Sequence, residues 1–263
     1  VNVCTAKDRR FLASNQLNKL YFNPNTTYDI PMQPDGKTPY PTTKFTSAPL
    51  NGYDLNASKI DLSKNYLALM DDFYYGLNED EGFAISRSSS NVNQSAAFYF
   101  NYNGSSGCTP TSRQDSCYTF VDVGAATDAM KLKFAIWYSF YRTRLMVAKA
   151  GVTAAFLQQE SGIRVGYGAI NLNPVIVKDV ARFSKNDQNG QKKAFFSWLH
   201  TKKASGGTPL HTALDAAGDY YKTSDVPWQS DTGDSLLECR QSYTILMTDG
   251  YYTSTLDVGN QDN

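Results

Sequence analysis

Two oxygen-bearing side chains draw attention through their surroundings. Thr208 falls in Gly206-Gly207-Thr208-Pro209, just ahead of a helical pattern, and Asp249 follows the apolar run Tyr243 to Met247 in Thr248-Asp249-Gly250. A hard divalent cation takes its ligands from carboxylates, hydroxyls and water. A threonine at a helix start and an aspartate at a strand end can supply two such oxygens if the chain brings them together. Each also has an ordinary structural use: Thr before Pro as a helix N-cap, Asp-Gly as a turn. Their joint occurrence in one α/β element order is what points to a site.

Other chemistry finds little support. The only histidines are His200 and His211. Both fall on helical stretches and are expected at the surface or half-buried. No Gly-x-Ser-x-Gly elbow is present. Gly166-Tyr167-Gly168 lacks the third glycine and the following helix of a dinucleotide fingerprint. No cysteine sits in a nucleophile setting, so the chain is not expected to be an enzyme. The four cysteines, Cys4, Cys108, Cys117 and Cys239, form no Cys-x-x-Cys pair and hence no zinc motif. Three pairings are open. The short spacing within a Gly/Ser/Thr loop favours Cys108 with Cys117, which leaves Cys4 with Cys239. Disulfides would place the chain in an oxidising compartment.

The elements that must position these residues change character near residue 125. Residues 1–125 are rich in Asn, Ser, Thr, Tyr and Pro, and read as turns and short strands, with Phe98-Tyr99-Phe100 a buried strand piece. The sequons at Asn25, Asn56, Asn93 and Asn103 are read as by-products of that composition. From Lys131 to Gln159 apolar residues recur at spacings of three and four, which predicts one long amphipathic helix. Ile163 to Ile170 reads as a strand and Val175 to Phe183 as a second, at a sheet edge. Gln191 to Thr201 and Pro209 to about Lys222 read as helices, and Tyr243 to Met247 as a buried strand. This order predicts an α/β fold with parallel strands, whose ligands bind beyond the strands' carboxyl ends.

Composition excludes other classes. The 263 residues carry 25 basic and 25 acidic side chains, so no electrostatic footprint for nucleic acid exists. No run approaches the ~20 apolar residues of a transmembrane helix. The start at Val1 has no signal-peptide pattern and reads as mature or trimmed.

Gly206 to Leu210 followed by a helix, together with Ile245-Leu246-Met247-Thr248-Asp249-Gly250, resembles the von Willebrand factor type A domain. More narrowly, four stretches resemble the type IV pilus tip-associated adhesins of the PilC/PilY family: Asn18 to Pro24, Trp137 to Arg144, Arg164-Val165-Gly166-Tyr167-Gly168, and Cys239 to Gly250. The resemblance implies a Rossmann-like open sheet flanked by helices. Residues 1–125 would form a large irregular insertion, and 126–263 the A-domain core, truncated at both ends. The family's A domain holds a metal through an Asp-x-Ser-x-Ser loop, a Thr and an Asp; Thr208 matches the second and Asp249 the third. Asp61-Leu62-Ser63-Lys64-Asn65 comes closest to the first but ends in Asn and follows no buried strand. The first loop is therefore expected upstream of Val1, and a β-propeller beyond Asn263. Mg²⁺, Mn²⁺ or Ca²⁺ binding by this chain alone is expected to be weak or absent.

The implied function is that of an extracellular module at the pilus tip or bacterial outer surface. It would serve adhesion and pilus biogenesis. Its expected partners are minor pilins, the pilus tip, and a host surface or extracellular protein. The alternative is an assembly scaffold without a host ligand. The Tyr-rich residues 1–125 suit recognition loops, or merely a cap with turns.

Overall fold

Helix α1 (Asp128–Phe140) starts where its sequence supplies a cap. The Thr127 hydroxyl accepts from the Met130 N–H at 3.3 Å, and Asp128 places a carboxylate in the first turn, where the helix dipole favours it. The computed structural model describes residues 13–66, 96–109, 111–112, 114–159, 162–184, 190–230, 235–237, 239–248 and 252. The chain divides into two units: one contains Val1–Phe156 and Ser197–Ala204, the other Leu157–Phe196 and Ser205–Asn263. The compositional break near residue 125 falls inside the first.

In the first unit α1 buries Phe134, Trp137 and Tyr138. Around that stripe wrap residues 13–66, whose regular structure includes the short antiparallel pair β1 (Ala48–Pro49) and β2 (Lys59–Ile60). A buried loop leaves carbonyls that need donors, and α1 supplies several. Trp137 Nε1 donates to Leu20 O at 3.1 Å and Lys133 Nζ to Pro24 O at 2.8 Å. Tyr141, just past the helix, donates to Asp29 O at 2.6 Å. Phe22 is fully buried, with ring centroids 4.8 Å from Phe134, 5.3 Å from Tyr99 and 5.8 Å from Trp137. The Tyr21 and Tyr66 hydroxyls meet at 2.7 Å, and burial pushes both phenols well above their usual range.

The hairpin of β3 (Phe98–Tyr102) and β4 (Tyr118–Asp122) pairs Phe100 with Phe120. Alternation sends Tyr99 into the core and leaves Phe98, Phe100 and Phe120 in mutual ring contact on the other face, with Phe120 56 % exposed. The expected Cys108–Cys117 disulfide is present in the connection between these strands.

The single helix expected over Lys131 to Gln159 is two helices, α1 and α2 (Arg144–Leu157). The interruption has a local cause. The Arg142 guanidinium folds back onto the Tyr138 carbonyl and lies 4.2 Å from the Tyr138 ring centroid. The Thr143 hydroxyl then accepts from the Met146 N–H at 3.2 Å and opens a new helix. Along α2, Met146, Lys149, Ala150 and Thr153 are buried. Lys149 is 3 % exposed, and its ammonium donates to the carbonyls of His200 at 3.0 Å and Lys202 at 2.6 Å, at the C-terminal end of α3 (Gln191–Thr201).

The second unit is built on β5 (Arg164–Gly168) and β6 (Ile176–Arg182). The two strands pair antiparallel. The reason is length. A parallel crossover needs about a dozen residues or more, and only residues 169–175 separate the two strands. Gln191 clamps the hairpin through Nε2, which donates to Val165 O at 2.6 Å and Asp179 O at 2.7 Å. Phe183 packs on Phe195 and Phe196. Lys192, 4 % exposed, donates to Leu157 O at 2.8 Å and Gln159 O at 2.6 Å. Helix α4 (Leu210–Thr223) meets β6 where the Tyr220 hydroxyl accepts from the Val180 N–H at 3.0 Å.

Tyr243 to Met247, expected as a buried strand, forms no ladder with any described residue and is exposed: Tyr243 at 76 %, Ile245 at 74 %, Met247 at 57 %. A strand apolar on both faces is buried only with neighbours along its edges and layers over its faces. The described residues supply α4 on one side. Among the described residues no helix is long and apolar enough to cross a membrane.

Replacing Phe22 by Ala should cost about 3–5 kcal/mol, the usual toll of emptying a packed aromatic site. The check is urea unfolding, with a lowered midpoint and an unchanged slope.

Candidate functional site

Thr208 sits in the loop between α3 and α4, and its backbone is set by the residues around it. Gly206 adopts φ +77°, a left-handed conformation that side chains other than Gly rarely take. The Asn171 amide, from the β5–β6 connection, donates to the Ser205 carbonyl. A Cβ on Gly206 would lie 2.7 Å from Asn171 Nδ2. The loop thus takes this path because position 206 has no side chain and Asn171 fills the space.

Thr208 does not cap α4. The cap position is Pro209, at φ −80° and ψ 68°, and no side-chain cap bond forms. These angles make an inverse γ-turn, closed by the Leu210 N–H on the Thr208 carbonyl at 2.9 Å. Pro209 has no N–H to satisfy, and its carbonyl accepts from the Ala213 N–H at 3.0 Å. Thr208 itself is half-buried.

Asp249 lies outside the described residues, so its oxygens have no measured distance to Thr208. The neighbouring chain can be followed. The Tyr221 hydroxyl, in the last turn of α4, donates to the Tyr243 carbonyl at 3.2 Å. In the first turn, the His211 and Tyr252 rings meet edge-on at 4.6 Å. Tyr243 thus lies beside the end of α4 and Tyr252 beside its start. Ten helical residues rise about 15 Å, well within the ~30 Å that nine residues can span.

One hydroxyl is not a donor set. A Ca²⁺ ion takes about six to eight oxygens, and among the described residues no three His, Cys, Asp or Glu side chains gather where they could hold an ion. The described residues alone do not fit a divalent cation.

One of the two histidines corrects an expectation. His211 is half-buried against Tyr252, and its Nδ1 is buried without a hydrogen-bond partner among the described residues. His200, expected at or near the surface, is 3 % exposed. Its Nδ1 lies 2.9 Å from the Tyr40 hydroxyl and its Nε2 2.8 Å from Thr153 Oγ1. Burial first, and the Lys149 charge second, lower its pKa from 6.5 to about 4, so the ring is neutral near pH 7. The signal was spacing: Lys192, Phe196 and His200 recur every fourth residue on α3, but two of the three are polar types usually placed outside. As for the remaining cysteines, Cys239 is exposed with no disulfide partner among the described residues, and Cys4, its expected partner, lies outside them.

Comparison with known proteins gives one relationship. The chain is 34 % identical over 264 residues, 95 % of its length, to the type IV pilus biogenesis factor PilY1 of Pseudomonas aeruginosa strain UCBPP-PA14. It is 32 % identical over 279 residues, covering all of this chain, to the PilY1 of strain PAK. It spans about a fifth of these relatives, 21 % and 23 % of their lengths. No protein-family model matches the chain. No solved structure matches it.

The exchange Gly206→Ala tests the loop. Forcing a Cβ into the left-handed region costs about 1–2 kcal/mol, and the Asn171 amide must give way. The expected result is a lower unfolding midpoint, together with displaced side-chain amide resonances of Asn171.

Proposed function

We propose that this chain is a non-enzymatic part of a type IV pilus biogenesis factor. It works outside the cell, at the pilus tip or the outer surface. The observation that carries this is the alignment of 95–100 % of the chain, at 32–34 % identity, with P. aeruginosa PilY1 proteins. The Cys108–Cys117 disulfide fits an oxidising compartment outside the cytosol. Minor pilins and the pilus tip are the proposed assembly partners.

Two finer parts belong to the same proposal. The first is adhesion to a host surface or extracellular protein. The partly exposed Phe98, Phe100 and Phe120 face supports it, since aromatic side chains commonly anchor interfaces. The second is the A-domain architecture with its cation site. A strand that follows a crossover helix runs back along it, and Tyr243 beside the end of α4 with Tyr252 beside its start fits that course. Thr208 and Asp249 each stand three residues before the ring pair His211 and Tyr252, which keeps their convergence within reach of the chain.

The test removes residues 1–263, in frame, from the protein as the bacterium makes it. Surface pili are counted after shearing, and cell adhesion is measured in parallel. Loss of pili is the expected result. Pili kept with adhesion lost would assign the chain to ligand binding alone, and no change in either would sink the proposal. For the cation, thermal unfolding of the full-length protein and of Asp249→Ala is followed with added Mg²⁺, Mn²⁺ or Ca²⁺. A stabilisation that the variant loses supports the site. Indifference to every ion removes the site and leaves the pilus role standing.

A further inference from the structure

We propose that His200 is an acid-sensitive latch in the first unit: its neutral imidazole ties Tyr40 and α2 to the chain at 197–204, and protonation loosens that tie. Both ring nitrogens are engaged. Nδ1 meets the Tyr40 hydroxyl at 2.9 Å and Nε2 meets Thr153 Oγ1, on α2, at 2.8 Å. A neutral imidazole offers one donor and one acceptor, and a hydroxyl can act as either, so either tautomer satisfies the arrangement. An imidazolium has two donors. Both hydroxyls must then accept, and the hydroxyl proton that the ring had received loses its acceptor inside an aromatic enclosure. Tyr40 there contacts Tyr53 at 5.6 Å and Phe140 at 5.9 Å.

The charged and titratable surroundings make the same point. From α2, the Lys149 ammonium donates to the His200 carbonyl at 3.0 Å, so a protonated ring becomes a second cation beside it. From the loop at 51–54, the Tyr53 ring lies tilted with its centroid 4.9 Å from that of the imidazole, and its phenol is held protonated chiefly by burial. From the loop at 31–40, Tyr40 is pushed up to about 12 by burial first, then by the Asp35 and Asp54 carboxylates, so it stays a hydroxyl throughout. From beyond α3 itself, Lys202 presents its carbonyl to Lys149.

The sign follows from the folded value lying below the ordinary one. Above about pH 6.5 the ring is neutral whether the latch is closed or open. As pH falls toward 4 only the opened state takes the proton readily, so the closed state loses ground. With about 4 against the ordinary 6.5, opening at pH 5 should be favoured roughly 20-fold more than at pH 7. The inference is independent of the pilus role.

Hydrogen exchange followed by mass spectrometry on the whole chain, at pH 7 and pH 5 with intrinsic rates corrected, reads this directly. Peptides covering 197–204 should lose protection by about that factor in the wild type and by far less in His200→Gln, which keeps one donor and one acceptor but does not titrate. Equal losses in both proteins would overturn the latch. Should the variant not fold, the wild-type ring decides by NMR titration: a midpoint below pH 5 supports the proposal, and one near 6.5 ends it.

Discussion

Two buried ammonium groups set conditions that the helices around them must meet. Lys149 and Lys192 each lie almost wholly out of water, and each gives its protons to the last carbonyls of a helix or the residues just beyond it. Taken singly, both halves of this arrangement are liabilities. A desolvated cation costs several kcal/mol, and a helix that ends inside a fold leaves carbonyls with no internal partner. Brought together, the partial negative charge at the helix end receives the cation, and three ammonium protons meet a cluster of acceptors. The same solution appears once in each unit. It limits how far α2 and α3 can slide or fray before a buried charge loses its ligands.

A similar exchange shapes the irregular first part of the chain. Residues 13–66 have little ladder structure, yet they are not loosely attached. Their inward carbonyls are met by Trp137, Lys133 and Tyr141, while Tyr21 and Phe22 insert rings between those of α1. Side chains of long reach substitute here for sheet hydrogen bonds. That is why a segment rich in turn formers can still hold fully buried side chains such as Tyr21, Phe22, Leu62 and Tyr66.

Local pattern carried much of the second unit. Gln191 to Thr201 appears as a helix with those bounds, and the strands at 164–168 and 176–182 lie within their expected spans. What pattern could not carry was pairing. Seven intervening residues turn β6 back onto β5, a constraint of chain length and not of residue type. The break between α1 and α2 was hidden because Arg142 suits a helix by propensity and ends this one by what its guanidinium binds. At the candidate site the helix that follows Thr208 was legible. The γ-turn at Pro209 was not, since a helix start is read to within a residue or two. His200 and Lys149 escaped notice because burial of such groups depends on partners 47 to 160 residues away in the chain.

The ribbon from Tyr243 to Met247 has a practical corollary. It is uncharged, rich in β-forming side chains and without a ladder to any described residue, which is the composition from which cross-β stacks grow. Handled on its own at high concentration, the chain carries its own template for self-association.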